Sequence, residues 1–302
     1  MATKAQLDIG GKKIDVSNLE KVLYPKTGFT KGDVIDYYVR ISKCLLPHLK
    51  DRPITLKRYP DGVEGFFFYE KNCPPHRPAW IKTAKIPRTE GGETNYCVMN
   101  DLPALVWAAN LADLELHTFL HRAPAINRPT ALAFDLDPGA PADIILCCQV
   151  GLWLRDFFAA MKLKSFPKTS GSKGLQVYVP LNSPVTYAKT KPFAHAIAEQ
   201  LEKKFPKIVV SKIQKSLRNG KVLIDWSQND VHKTTITAYS LRAKEHPTVS
   251  TPVTWDEVES ALKKKDTKLL TFETDDVLKR VKKHGDLFAP VLKLKQKLPR
   301  LA

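Results

Sequence analysis

From residue 130 onward the chain repeats one pattern: a short apolar run, a longer amphipathic stretch, then another apolar run. Ala131 to Phe134 reads as a strand, Ala142 to Met161 as a helix, Leu175 to Val179 as a strand, Lys189 to Phe205 as a helix and Lys221 to Asp225 as a strand. This alternation predicts an α/β domain, because each helix must bury its apolar stripe on a sheet. The earlier part is patterned differently. Thr30 to Leu46 sets Val34, Tyr37, Tyr38, Ile41 and Leu45 at helical spacing, with Thr30 as cap and Asp33 as the acid of a capping box. The runs Ile54 to Arg58, Gly65 to Tyr69 and Asn95 to Met99, broken by Pro, Gly and Asp, predict strands. Leu102 to Leu114 reads as a helix and Glu115 to Leu120 as a strand. Trp255 to Lys283 is helical in pattern and rich in lysine, and Lys293 to Arg300 forms a basic tail. No repeat or linker divides the 302 residues, which suffice to bury a large core.

Lys and Arg number 48 against 31 Asp and Glu, a formal charge of +17. That excess favours an extended anionic partner such as a nucleic acid, with a merely solvated basic surface as the ordinary alternative. Cys44, Cys73, Cys97, Cys147 and Cys148 are odd in number and contain no C-x-x-C pair, so neither a disulfide framework nor a zinc site is expected. They read as reduced thiols of a cytoplasmic protein. No apolar run approaches the roughly 20 residues that span a bilayer, and Met1 to Gly10 lacks the apolar segment of a secretion signal.

The densest chemical signal is Phe134-Asp135-Leu136-Asp137-Pro138-Gly139 at the end of an apolar strand. Residues i and i+2 of a strand face the same side, so Asp135 and Asp137 can bind one hard cation or a pair. Acids that only begin a Pro-Gly turn would look the same. Asp225, after Val222-Leu223-Ile224, adds a third carboxylate late on a strand, and three such acids suit two divalent ions and phosphoryl transfer. Between them lies Thr169-Ser170-Gly171-Ser172-Lys173-Gly174, whose glycines free the backbone to turn N–H groups toward an anion while Ser170, Ser172 and Lys173 add donors. It lacks P-loop spacing, and a plain hairpin loop is equally rich in Ser and Gly. Lys57, Arg218, Lys221 and Arg242 are cations near strand-like segments, and His117 follows Leu114-Glu115-Leu116.

Taken in order, Asp135-Leu136-Asp137-Pro138-Gly139, Ser170-Gly171-Ser172-Lys173-Gly174, Ile224-Asp225-Trp226-Ser227-Gln228-Asn229 and Ala238-Tyr239-Ser240-Leu241-Arg242 resemble the polymerase domain of the bacterial DNA ligase D family and its stand-alone relatives in the archaeo-eukaryotic primase superfamily. The similarity runs from about Val16 to Val291. It implies an α/β (α+β) fold: a primase-type catalytic core with an RRM-like sheet plus an N-terminal α/β region. The whole of 1–302 would be one catalytic domain, with DNA-end binding in 1–129 and metal and nucleotide binding in 130–302. By resemblance, Asp135, Asp137 and Asp225 hold two divalent ions, manganese in preference to magnesium. Asn18, Lys57, His117, Ser170, Ser172, Lys173, Gln176, Arg218, Gln228 and Arg242 bind the nucleoside triphosphate, Asn18 near its sugar. Lys21 and Lys31 match lysines that bind a 5′-phosphate, and Phe68 and Tyr69 an aromatic pair that stacks on the template. Strand alternation makes at least one of Phe66 to Tyr69 a core residue. Gln176 departs from the family, which usually carries His there.

The implied activity is template-dependent nucleotidyl transfer, with ribonucleotides preferred, filling gaps and extending 3′ ends at double-strand breaks in non-homologous end joining. Its partners would be gapped, overhanging or 5′-phosphorylated DNA, the end-binding protein Ku, a separate DNA ligase and a phosphoesterase, in the cytoplasm at the nucleoid. Two other readings stand beside it. A glycosyltransferase with an Asp-x-Asp metal pair would need neither Asp225 nor the basic, aromatic N-terminal region. A nucleic-acid-end-binding module would follow if Gln176 marks a weakened active site.

Overall fold

The computed structural model describes residues 4–299, so Arg300 of the basic tail and Met1 to Thr3 lie outside the described residues. In chain order the elements begin with strands β1 (Lys4–Ile9), β2 (Lys12–Ser17), β3 (Val22–Tyr24) and β4 (Phe29–Thr30), then helix α1 (Lys31–Leu49). Next come β5 (Pro53–Arg58), β6 (Phe68–Glu70), β7 (Lys82–Pro87), β8 (Glu93–Val98), α2 (Leu102–Asn110) and β9 (Asp113–Phe119). The middle of the chain supplies β10 (Ala131–Pro138), α3 (Ile144–Ala160), β11 (Phe166–Thr169), β12 (Leu175–Pro180), α4 (Tyr187–Lys204), β13 (Val209–Val210) and β14 (Val222–Asp225). β15 (Thr234–Ile236), α5 (Trp255–Lys264), α6 (Thr274–His284) and α7 (Ala289–Lys293) complete it.

These elements form two compact units, and the chain passes between them more than once. Unit 1 comprises Met1–Pro124, Thr234–Ser250 and Phe272–Gly285; unit 2 comprises Ala125–Lys233, Thr251–Thr271 and Asp286–Ala302. In unit 1 the strands order as β15-β9-β5-β8-β7, with β6 added on β5. α1 starts as expected: Thr30 Oγ1 accepts the Asp33 N–H at 3.2 Å while Asp33 Oδ2 accepts the Thr30 N–H at 2.7 Å. Its apolar face, Val34, Tyr37, Tyr38, Ile41 and Leu45, is buried. The Tyr38 hydroxyl donates to Leu114 O at 2.7 Å and the Tyr37 hydroxyl to Tyr239 O at 2.9 Å, which ties the helix to β9 and to the segment after β15.

In unit 2 the order is β11-β12-β10-β14-β13; the pairs β11–β12, β12–β10 and β10–β14 are antiparallel, β13–β14 parallel. Leu132, Phe134 and Leu136 point to one face of β10, fully buried, and α3 covers them with Phe158 against Phe134 at a ring separation of 5.4 Å. Alternation then commits Asp135 and Asp137 to the other face.

The structure corrects three expectations. Cys73 and Cys97 form a disulfide, Cα to Cα 4.9 Å, so only Cys44, Cys147 and Cys148 are thiols among the described residues. The two lie 24 positions apart in sequence, and the Cys73 N–H donating to Asn95 O brings the two segments side by side. None of Phe66 to Tyr69 is a core residue: Phe66, Phe67 and Tyr69 are 68%, 46% and 55% exposed, and Phe68 is half-buried. The strand is shorter than Gly65 to Tyr69, starting only at Phe68, so alternation does not extend over Phe66 and Phe67. The helix read as Leu102 to Leu114 stops at Asn110, because Asp113 and Leu114 are drawn into β9.

Candidate active site

β10 lies between β12 and β14, and its register sets Asp135 opposite Gln176 on one side and opposite Asp225 on the other. Directly opposed residues share a sheet face, so Asp225 joins Asp135 and Asp137 on the side away from α3. Lys168 of β11 stands opposite Gln176 and continues the row. Four strands therefore present Lys168, Gln176, Asp135 and Asp225 in one line across the sheet, with Asp137 one step along β10.

The charges in this row are under tension. Burial, then Asp137, pushes the Asp135 carboxyl up to about 7, with Asp225 adding to the repulsion; a hydrogen bond from Gln176 and the charge of Lys168 act in the opposite direction. Asp135 Oδ1 is buried and has no hydrogen-bond partner, the condition of a carboxylate oxygen shaped for a cation. Asp225 caps its own 3₁₀ turn, Trp226–Gln228: its Oδ1 accepts from Ser227 N–H (2.9 Å) and Oγ (2.6 Å), and its Oδ2 from Gln228 Nε2 at 2.9 Å. Among the described residues no three His, Cys, Asp or Glu side chains close around a point as metal ligands. The donor set nevertheless suits a hard divalent ion, since carboxylate oxygens on one face, one of them orphaned, are what such an ion requires.

The loop from Ser170 to Gly174 joins β11 to β12 beside this row. The Ser170 hydroxyl accepts both the Ser172 N–H (3.2 Å) and the Gly174 N–H (3.1 Å), and Ser170 N–H donates to Gly174 O at 2.9 Å, so Ser170 shapes the loop from within. Ser172 and Lys173 are exposed at its tip. A Cβ on Gly174 would stand 2.1 Å from Leu136 O, so only glycine lets the loop return this close to β10. Gly139 has the same need, 2.0 Å from Arg218 O, which keeps the segment carrying Arg218 against the end of β10. The Arg218 guanidinium folds back on Ile213 O of that segment.

Unit 1 carries the remaining expected residues in two groups. Lys57, His117 and Arg242 surround Glu115: His117 Nε2 lies 2.9 Å, Lys57 Nζ 3.5 Å and Arg242 Nε 3.3 Å from its carboxylate. Burial lowers the His117 pKa and would lower that of Lys57, but Glu115 reverses the shift for Lys57. Lys57 Nζ also faces the rings of Phe67 (4.8 Å), Tyr59 (5.2 Å) and Tyr69 (5.3 Å), so Tyr69 takes part in this group. In the second group the Lys31 N–H donates to Lys21 O at 2.8 Å, and Asn18 begins the turn that carries Lys21, with φ at +54°. Lys31 is buried; burial first, then the charges of Lys21 and Arg58, brings its ammonium down to about 8. Arg58 pairs with Glu70 at 2.8 Å and stacks over Phe68 at 5.1 Å.

Three members of these groups were not singled out from the sequence. Lys168 belongs to β11, a four-residue strand whose pattern is too short to read. Arg58 and Glu115 are charged residues inside strands, and only the Lys57-Arg58 and Glu115-Leu116-His117 adjacencies hinted at them.

Residues 30–288 match the family described as LigD, primase-polymerase domain. The multifunctional non-homologous end joining protein LigD of Mycolicibacterium smegmatis is 41% identical over 93% of this chain, and the bifunctional LigD of Bacillus subtilis 34% over 90%. The chain spans only 36% and 43% of those two proteins. Among solved structures, the polymerase domain of Mycobacterium tuberculosis ligase D in complex with DNA superposes with a TM-score of 0.86 at 39% identity, covering 94% of this chain and 99% of that one. Such agreement over nearly the full length places the chain in the LigD primase-polymerase domain family.

Proposed function

We propose that this chain is a DNA-directed nucleotidyltransferase of non-homologous end joining, which adds nucleotides to a primer 3′ end in gaps and at broken ends, with ribonucleotides preferred. The observation that carries the reading is the row of Asp135, Asp137 and Asp225 on one sheet face beside the Ser170–Gly174 loop. In it Asp135, Asp137 and Asp225 would hold two divalent ions, manganese favoured, and those ions when bound would supply activation of the attacking hydroxyl and neutralisation of the leaving pyrophosphate. Ser172 and Lys173 at the loop tip would meet the triphosphate, and Gln176 would steady Asp135. Within unit 1, Lys57, His117 and Arg242 are the nucleotide contacts we infer, Lys21 and Lys31 would receive the 5′-phosphate of a gapped or recessed DNA end, and Phe68 and Tyr69 would stack on the template. DNA-end binding is assigned to 1–129 and the chemistry to 130–302. Ku, a DNA ligase and a phosphoesterase are the partners we infer, and the nucleoid the place of action.

The test is primer extension on a gapped duplex bearing a 5′-phosphate, with manganese, comparing ribo- and deoxynucleotides for wild type and Asp135→Ala/Asp137→Ala. Ribonucleotide addition abolished in the double variant supports the polymerase and its metal site together. No addition by wild type, with DNA binding intact, would transfer the assignment to an end-binding module.

A further inference from the structure

Glu115 is 1% exposed, and a carboxylate that deep stays charged only if its neighbours hold it so. Asp113, two residues earlier on β9 and equally buried, shows the other outcome: burial drives its carboxyl well above the ordinary value. At Glu115 burial pulls the same way, but the His117 hydrogen bond and the charges of Arg242 and Lys57 overcome it and hold the carboxylate well below the ordinary range. Three groups from three stretches of chain meet here, Lys57 from β5, His117 from β9 and Arg242 from beyond β15. The Ala243 N–H donates to Oε1 at 3.1 Å and anchors the backbone next to Arg242 as well.

We propose that Glu115 is the positioning residue of the nucleotide site in unit 1: it gathers Lys57, His117 and Arg242 into one array and fixes the tautomer of His117. This rests on the reading of those three as nucleotide contacts. An ionised carboxylate can only accept, so His117 Nε2, 2.9 Å from Oε2, carries the ring hydrogen. The lone pair then lies on Nδ1. His117 is thereby an acceptor toward the nucleotide, suited to a sugar hydroxyl and unsuited to a phosphate oxygen, and the two cations are the groups that answer the phosphates.

Glu115→Gln preserves the size of the side chain and an oxygen for Ala243 N–H but removes the charge. Misplacing triphosphate contacts weakens ground state and transition state alike, so KM for the nucleotide should rise about tenfold, ~1.4 kcal/mol, with kcat moving far less. A role confined to stability would instead lower the active fraction, reducing kcat at constant KM. Glu115→Asp, with the charge kept at shorter reach, should fall between. The nitrogen NMR spectrum of the wild-type imidazoles should show His117 protonated at Nε2 and not at Nδ1, a readout that needs neither variant nor activity. An unchanged KM in Glu115→Gln, or a proton on Nδ1 in wild type, overturns the proposal. Wild type that extends no primer overturns the polymerase reading instead, and the imidazole spectrum still decides what Glu115 does.

Discussion

Asp135 illustrates how a site can work against its own fold. An unfolded chain releases this proton near the ordinary carboxylate value, whereas the folded protein keeps it until about pH 7. The native state therefore binds the extra proton across that window, and stability without metal falls as pH rises from about 4 to about 7. Asp135→Asn should remove that slope, stabilise the metal-free protein by about 1–3 kcal/mol at pH 8 and abolish nucleotide addition. Thermal melts across pH check the first part and primer extension the second; a destabilised Asn variant would refute the repulsion described here. Lys31 offers a second titration. Its ammonium is charged below about pH 8, and a bound 5′-phosphate would favour the charged form, so preference for phosphorylated over hydroxyl ends should weaken as pH rises from 7 to 9. Competition binding with the two ends at each pH measures this, and a preference that persists at pH 9 moves the phosphate elsewhere. The three acids were legible as residues because a strand has period two. Their charge state was not, since it depends on Gln176 and Lys168 reaching the row from other strands.

Among the elements, the Ser170–Gly174 loop and the Cys73–Cys97 link are the two most open to a single substitution. Gly174→Ala forces a Cβ onto Leu136 O, and relieving that contact must displace either the loop or β10. A loss of about 1–3 kcal/mol in stability and a larger loss of primer extension are expected, read by denaturant melts and by extension assays. Cys97→Ser removes a link between positions 24 apart and should cost about 2–4 kcal/mol, with reductant producing the same shift in wild type. If reductant leaves the melting temperature unchanged, the two sulfurs are not bonded in solution. α1 was readable to its capping box because the signal is local, and so was the alternation from β10 to β14. The four-residue β11 and two-residue β13 were not, being too short to show a period, and the pairing of Cys73 with Cys97 was invisible because it depends on which strands lie side by side. Phe66 and Phe67 misled for a related reason: alternation was applied to residues that precede the strand.

For the molecule as a whole, the family was legible because four motifs recur in fixed order, each weak when taken singly. The charge of +17 has a direct consequence if DNA is the ligand. Affinity for a gapped duplex should fall by roughly 10³ or more between 50 and 200 mM salt if six or more phosphates are contacted. A flat response in a salt titration would exclude backbone charge as the main source of binding. The interleaving of the two units has a different kind of consequence. Arg242, the partner of Glu115, belongs to unit 1 but is encoded after all of Ala125–Lys233, and β15 reaches the open edge of β9 only then. During synthesis on the ribosome, unit 1 must wait with β9 unpaired on that side and Glu115 short of one cation until the later segments emerge. Ribosome-bound chains halted near residue 230 should for that reason be cut by protease within β9, a site the finished protein protects.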